Sequence, residues 1–137
     1  MSGELLYISG PMQHFPEHNF PAFEVASVNL RAAGYRVVSP HDLGQVDYWE
    51  WSDYLRRDLM ALLAIGPSLG GVATLPDGPN FGYAPSRGRA LEIHVATELG
   101  VRVAPVESWL AEVEFTVPLK GAGQPPWWLD GIEAGHG

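Results

Sequence analysis

The chain has 137 residues, 46% of them hydrophobic, and a formal net charge of −8. That suits one compact domain and, with only eight Lys and Arg in total, argues against a grip on a nucleic-acid backbone. There is no cysteine, which removes disulfides, thiolate chemistry and Cys-based zinc sites, and no run approaches the roughly 20 apolar residues of a membrane span. The start, Met1-Ser2-Gly3-Glu4, lacks a basic, signal-like region, so the expectation is a cytoplasmic protein with no membrane partner.

Glu4 to Ser9 reads as a short apolar strand, stopped by Gly10-Pro11 and a loop with His14, Pro16 and His18. Asn19 is placed to cap a helix that carries Phe20, Phe23, Val28 and Leu30 and ends at Gly34. Tyr35 to Ser39 resumes a strand, and Pro40-His41-Asp42 leads into an aromatic loop with Tyr48, Trp49 and Trp51. Ser52 is the expected cap of a second helix bearing Leu55, Leu59, Leu62 and Leu63, and Gly70-Gly71 closes the connection that follows. Val72 to Pro76 is a buried strand, and Ser86 to Gly100 a helix. Val101 to Pro105 is a last strand, followed by a short helix around Ser108 to Val113.

This alternation predicts one doubly wound α/β domain over residues 1–115, with a mainly parallel sheet flanked by helices, because parallel crossovers need intervening helices. From Thr116 the pattern decays into an irregular tail, 116–137, with Pro125-Pro126-Trp127-Trp128 and several glycines. No internal repeat is present.

The segment Ser86-Arg87-Gly88-Arg89-Ala90-Leu91-Glu92 is the most informative. It sets one carboxylate, Glu92, on an otherwise apolar helix face beyond the carboxyl end of a strand, which is where open α/β sheets bind ligands. The same helix's first turn offers free N–H groups to an anion. An exposed, solvated glutamate is the plain alternative. Ser86 is also a good N-cap in its own right, and Asp58 beside Arg56 and Arg57 reads equally as part of a surface ion-pair network. Trp49 and Trp51 are either stacking surfaces for a base or a hydrophobic cover. Among the histidines, His41 ranks first as a ligand contact because it follows a strand's carboxyl end beside Asp42. The five histidines do not fall at metal-ligand spacings.

Five stretches together resemble the nucleoside 2-deoxyribosyltransferase-like superfamily, in particular its small phage and bacterial members related to nucleoside 5′-monophosphate N-glycosidases. These are Tyr7-Ile8-Ser9-Gly10-Pro11-Met12, Asn19 to Phe23, Leu30 to Gly34, Tyr54 to Leu59, and Ser86 to Glu92. The resemblance covers roughly residues 5 to 105. It implies Glu92 as the nucleophile that attacks the anomeric carbon, Asp58 as an acid that handles the leaving base's proton, and Tyr7 as the group that orients Glu92. It places Ser9, Gly10, Pro11 and Met12 in one wall of a substrate pocket, with Ser86, Arg87 and Gly88 at the other.

Where nucleoside transferases of the superfamily carry an aspartate, this chain has Ser86, as the nucleotide glycosidases do. The implied ligand is therefore a nucleoside 5′-monophosphate. Arg87 or Arg89 adds positive charge there, without a secure counterpart in those enzymes. Asp77 is a candidate to replace the missing aspartate, and the insert 77–85 a candidate lid. The resemblance further implies no metal or organic cofactor and a homo-oligomer, in which Ser108 or Thr116 completes a neighbour's site. Base exchange between deoxynucleosides and a noncatalytic nucleotide-binding module are the alternatives.

Overall fold

The computed structural model describes residues 4–66, 70–78 and 85–120, with backbone alone for 114–120. Four strands, β1 (Leu5–Ser9), β2 (Arg36–Val38), β3 (Gly70–Thr74) and β4 (Arg102–Pro105), form one sheet in the order β2-β1-β3-β4. Every pairing is parallel, as the alternation of elements predicts.

The side-chain period of two along β1 builds a core on each face of the sheet. Leu6 and Ile8 point to one side, where they pack with Phe23 and Leu30 of α1 (Phe20–Ala32) and Trp109 of α5 (Val106–Lys120). Each of these five is almost fully removed from water. Fully burying one such side chain contributes about 1.5–3 kcal/mol. Tyr7 points to the other side, toward Val72, Leu62 of α3 (Trp51–Leu63) and Ala96 of α4 (Arg87–Glu98). The result is three layers, α1 and α5 against the sheet and α3 and α4 behind it.

Because β1 pairs with both β2 and β3, the chain leaves β1 toward one side and returns through β3 on the other. The loops after β1 and β3 therefore diverge and open a crevice at the sheet's carboxyl edge. Gly10 stands at this exit. A Cβ on it would lie 2.8 Å from Leu75 Cβ, so only glycine lets the loop pass so close to the residue after β3.

Several local expectations need correcting. Ser52 does not cap α3 but lies inside it; Glu50 is the cap, and its N–H is bound back by Asp53 Oδ2 at 2.9 Å in a reciprocal capping box. Asn19 occupies the N-cap position of α1 but makes no capping bond; its amide donates to the Pro11 carbonyl at 2.9 Å, which fastens the loop after β1 to the helix start. Pro40 to Leu43 forms a single helical turn, α2, too short to leave a periodic signature. Val28 and Leu63, read as apolar-face residues, are exposed. Gly34 follows the end of α1 with φ 105°, the left-handed conformation expected of a helix-terminating glycine. Helix α5 continues to Lys120, beyond the short helix expected around 108–113, and the rest of the tail, 121–137, lies outside the described residues. Among the described residues no helix is long and apolar enough to cross a membrane.

Candidate active site

Tyr7 and Ser9 are two residues apart on β1 and so share the face that α4 covers. Glu92, one turn and a half into α4, points down onto them. Tyr7 Oη donates to Glu92 Oε2 at 2.8 Å, and Ser9 Oγ donates to Glu92 Oε1 at 2.6 Å. Each carboxylate oxygen is therefore held by its own donor, which fixes the plane of the group as well as its position. Both donors are 0% exposed, and Glu92 is 5% exposed.

Burial dominates the electrostatics of Glu92. Desolvation disfavours the charged form; the Ser9 and Tyr7 hydrogen bonds pull the other way, and the charge of Asp58 adds to the upward push. The net result is a pKa raised from 4.5 to about 7. Tyr7 is pushed well above its usual value, first by desolvation and then by Glu92 and Asp58, so its phenol remains a donor throughout the neutral range. Asp58, buried on α3, is raised by desolvation against the lowering influence of Arg57, whose Nε lies 3.1 Å from Asp58 Oδ1.

A cavity of about 260 Å3 opens over this arrangement. Of the residues singled out in the sequence as candidate site residues, Gly10, Met12, Trp51, Asp58, Ser86, Gly88, Arg89 and Glu92 line it. Ser86 Oγ accepts from the Arg89 N–H at 3.1 Å, so it is the N-cap of α4 while facing the cavity; the two readings of that residue coexist. Space beside Gly88 is open, since a Cβ there would meet no heavy atom closer than Ser86 Oγ at 4.0 Å.

Other expected contacts are placed elsewhere. Ser9 is not a pocket wall: it is fully buried, and its hydroxyl is spent on Glu92, which makes it a second orienting group beside Tyr7. Pro11 is buried and contributes its carbonyl to Asn19. His41 does not reach the cavity, because its ring is held by Ser39 Oγ on Nδ1 at 2.6 Å and by Glu24 on Nε2 at 3.1 Å, against the rings of Phe20 and Phe23. Arg87 lies over the Trp51 ring at 4.2 Å rather than in the cavity, and it is Trp51 that lines the space. Asp77 also stays outside it, accepting the Ser86 N–H at 3.2 Å. Of the insert expected to form a lid, residues 79–84 lie outside the described residues.

Arg57 has no functional signature in the sequence, yet it lines the cavity. Besides binding Asp58, its Nη1 donates to the Leu43 and Gly44 carbonyls at 3.1 and 2.7 Å, and its guanidinium lies against the Trp49 and Tyr54 rings. It thus ties the loop after β2 to the acid on α3. Glu17, His18 and Asn19 run consecutively through left-handed backbone, and His18 lines the cavity as well. Among the described residues no three His, Asp or Glu side chains come together as metal ligands.

A family model described as a domain of unknown function, DUF4406, matches residues 4–105. The chain belongs to that family. A comparison with curated proteins found no match. The matched span of this DUF4406 domain runs from the strand that carries Tyr7 and Ser9 to the end of β4, and so contains every residue of the site just described.

Proposed function

We propose that this DUF4406 domain is an N-glycosidase that hydrolyses the base–sugar bond of a nucleoside or deoxynucleoside 5′-monophosphate through a covalent intermediate on Glu92. The observation that carries the reading is the pair of donors, Tyr7 and Ser9, that aim a buried carboxylate into a cavity shared with a second acid, Asp58. A carboxylate nucleophile needs such orientation, and an oxocarbenium-like transition state gains from a negative charge held in a water-poor site. The five stretches that resemble the nucleoside deoxyribosyltransferase superfamily support the same assignment.

In the first step a Glu92 oxygen attacks C1′, the C1′–O bond forms as the C1′–N bond breaks, and the electron pair leaves with the base. The base takes a proton from Asp58. In the second step Asp58, now ionised, removes a proton from water; the water oxygen attacks C1′, and Glu92 departs as carboxylate with Asp58 reprotonated. Glu92 and Asp58 are both raised by burial, so the pair retains a proton in mildly acidic solution, and the reactive form is the one with that proton on Asp58. Ser86 and the amides at the start of α4 face the phosphate end. The reading carries a cytoplasmic homo-oligomer acting on a small nucleotide, with no need for a metal or organic cofactor.

The test is release of free base, followed by chromatography, from a panel of ribo- and deoxyribonucleosides and their 5′-monophosphates. Wild type releases base and Glu92→Ala does not; a second free base added to the mixture identifies any transfer in place of hydrolysis. Absence of release from every member of the panel, with a ligand still bound, rejects the glycosidase.

A further inference from the structure

Among the described residues, four charged side chains line the cavity: Arg57, Asp58, Arg89 and Glu92. Arg57 is matched by Asp58. Both Glu92 oxygens are engaged by neutral hydroxyls, and no cation contributes to the causes that set its protonation. Arg89 is left. Its Nε donates to the Leu75 carbonyl at 2.9 Å, and among the described residues neither terminal amino group has an acceptor or a carboxylate partner. A half-buried guanidinium is thus anchored at one nitrogen with its two outer nitrogens uncommitted, in a chain whose net charge of −8 otherwise disfavours anions.

We infer that Arg89 is the residue that recognises an anionic group of the ligand, and that it separates a phosphorylated substrate from the bare nucleoside. Its position supports this in three ways. Leu75, which holds Nε, is the residue that Gly10 packs against, so the guanidinium is fixed where the loops after β1 and β3 part. Arg89 precedes Glu92 by three residues on α4, which sets the two backbones about 4.5 Å apart along the axis; the anion end and the reacting end of one small ligand then lie along one helix. Ser86 Oγ accepts the Arg89 N–H and keeps its own proton available to donate, so cap and anion contact are compatible. A guanidinium fork matches phosphate oxygens in a way that a solvated lysine does not, and anchoring Nε in advance lowers the ordering cost of binding. The identity of the ligand rests on the glycosidase reading; anion binding at Arg89 does not.

The experiment has two readouts on wild type, Arg89→Gln and Arg89→Lys. Inorganic phosphate is titrated by calorimetry, and base release is compared between each 5′-monophosphate and its nucleoside. In Arg89→Gln, phosphate binding weakens at least about 10-fold and the monophosphate-to-nucleoside ratio of kcat/KM falls about 10- to 100-fold. Equal phosphate affinity and an unchanged ratio in a folded Arg89→Gln protein overturn the inference. If no substrate releases base, the glycosidase reading fails and the phosphate titration still decides Arg89. Should Arg89→Gln fail to fold, Arg89→Lys, which keeps the charge but loses the fork, binds phosphate several-fold more weakly; wild-type affinity in that variant contradicts the role.

Discussion

Tyr7 and Glu92, 85 residues apart in the chain, meet in a 2.8 Å hydrogen bond in which the phenol donates to Oε2. With Ser9 on the other oxygen, the bond makes the first strand the seat of a carboxylate carried by the fourth helix. The stability and the pH response of the domain both follow from this burial.

Glu92 costs stability when it ionises. Its folded pKa, about 7, lies above the usual 4.5, so between these values the unfolded chain releases the proton first and stability falls as pH rises, levelling off above about 7. The shift corresponds to roughly 3 kcal/mol. Glu92→Gln, which does not titrate, is therefore expected to be more stable than wild type by up to about 3 kcal/mol at pH 8. That advantage fades toward pH 4.5, as measured by denaturant unfolding at several pH values.

The rate of base release is expected to peak in mildly acidic solution. It falls as pH rises through about 7, when the Glu92–Asp58 pair loses its last proton, and falls again at lower pH when both acids are protonated. Ser9→Ala and Tyr7→Phe each remove a hydrogen bond that lowers the Glu92 pKa, so each moves the alkaline limb upward, Ser9→Ala by more. A pH–rate profile that stays in place in both variants contradicts the orienting role given to Ser9 and Tyr7.

Ser86 serves as helix cap and cavity wall, and two substitutions separate these roles. Ser86→Ala loses the cap and about 1 kcal/mol of stability. Ser86→Asp keeps a good cap and leaves stability near wild type, but sets a carboxylate against the phosphate. Monophosphate turnover then falls at least 10-fold while nucleoside turnover is retained, read by thermal unfolding and paired kinetics.

Arg57 lowers the Asp58 pKa and holds the Leu43 and Gly44 carbonyls. Arg57→Met is expected to raise the Asp58 pKa, moving the acidic limb of the rate profile upward. It also destabilises the domain by about 1 kcal/mol through the loss of its hydrogen bonds to these exposed carbonyls. A variant with unchanged stability and an unchanged acidic limb contradicts the bracing role.

The fold and the heart of the site were legible in the sequence because they rest on strong, local signals. Alternating strands and helices imposed the parallel sheet, and a lone acid on the apolar face of α4 marked Glu92. What escaped depends on long-range geometry. Arg57 sits in an Arg-Arg-Asp run that reads as a solvated ion-pair network, and only the approach of the loop at Leu43 and Gly44 turns it inward. The resemblance sets Ser9 in a pocket wall, but the pleat that turns Tyr7 toward α4 turns Ser9 the same way and buries it under Glu92. His41 has the position of a ligand contact, yet Ser39 and Glu24 claim both ring nitrogens. Ser52 lost the cap of α3 because Glu50 and Asp53 satisfy each other's backbone donors.

The central claim is that Glu92 becomes covalently attached to the sugar. A 2′-fluoroarabinonucleoside 5′-monophosphate, whose fluorine slows both steps, is incubated with the protein, and intact mass and peptide mapping are read alongside release of base. The account predicts one equivalent of base released, a mass increase equal to the fluorosugar phosphate, and the adduct on the peptide containing Glu92. Base release with no adduct, or an adduct on another residue, contradicts it.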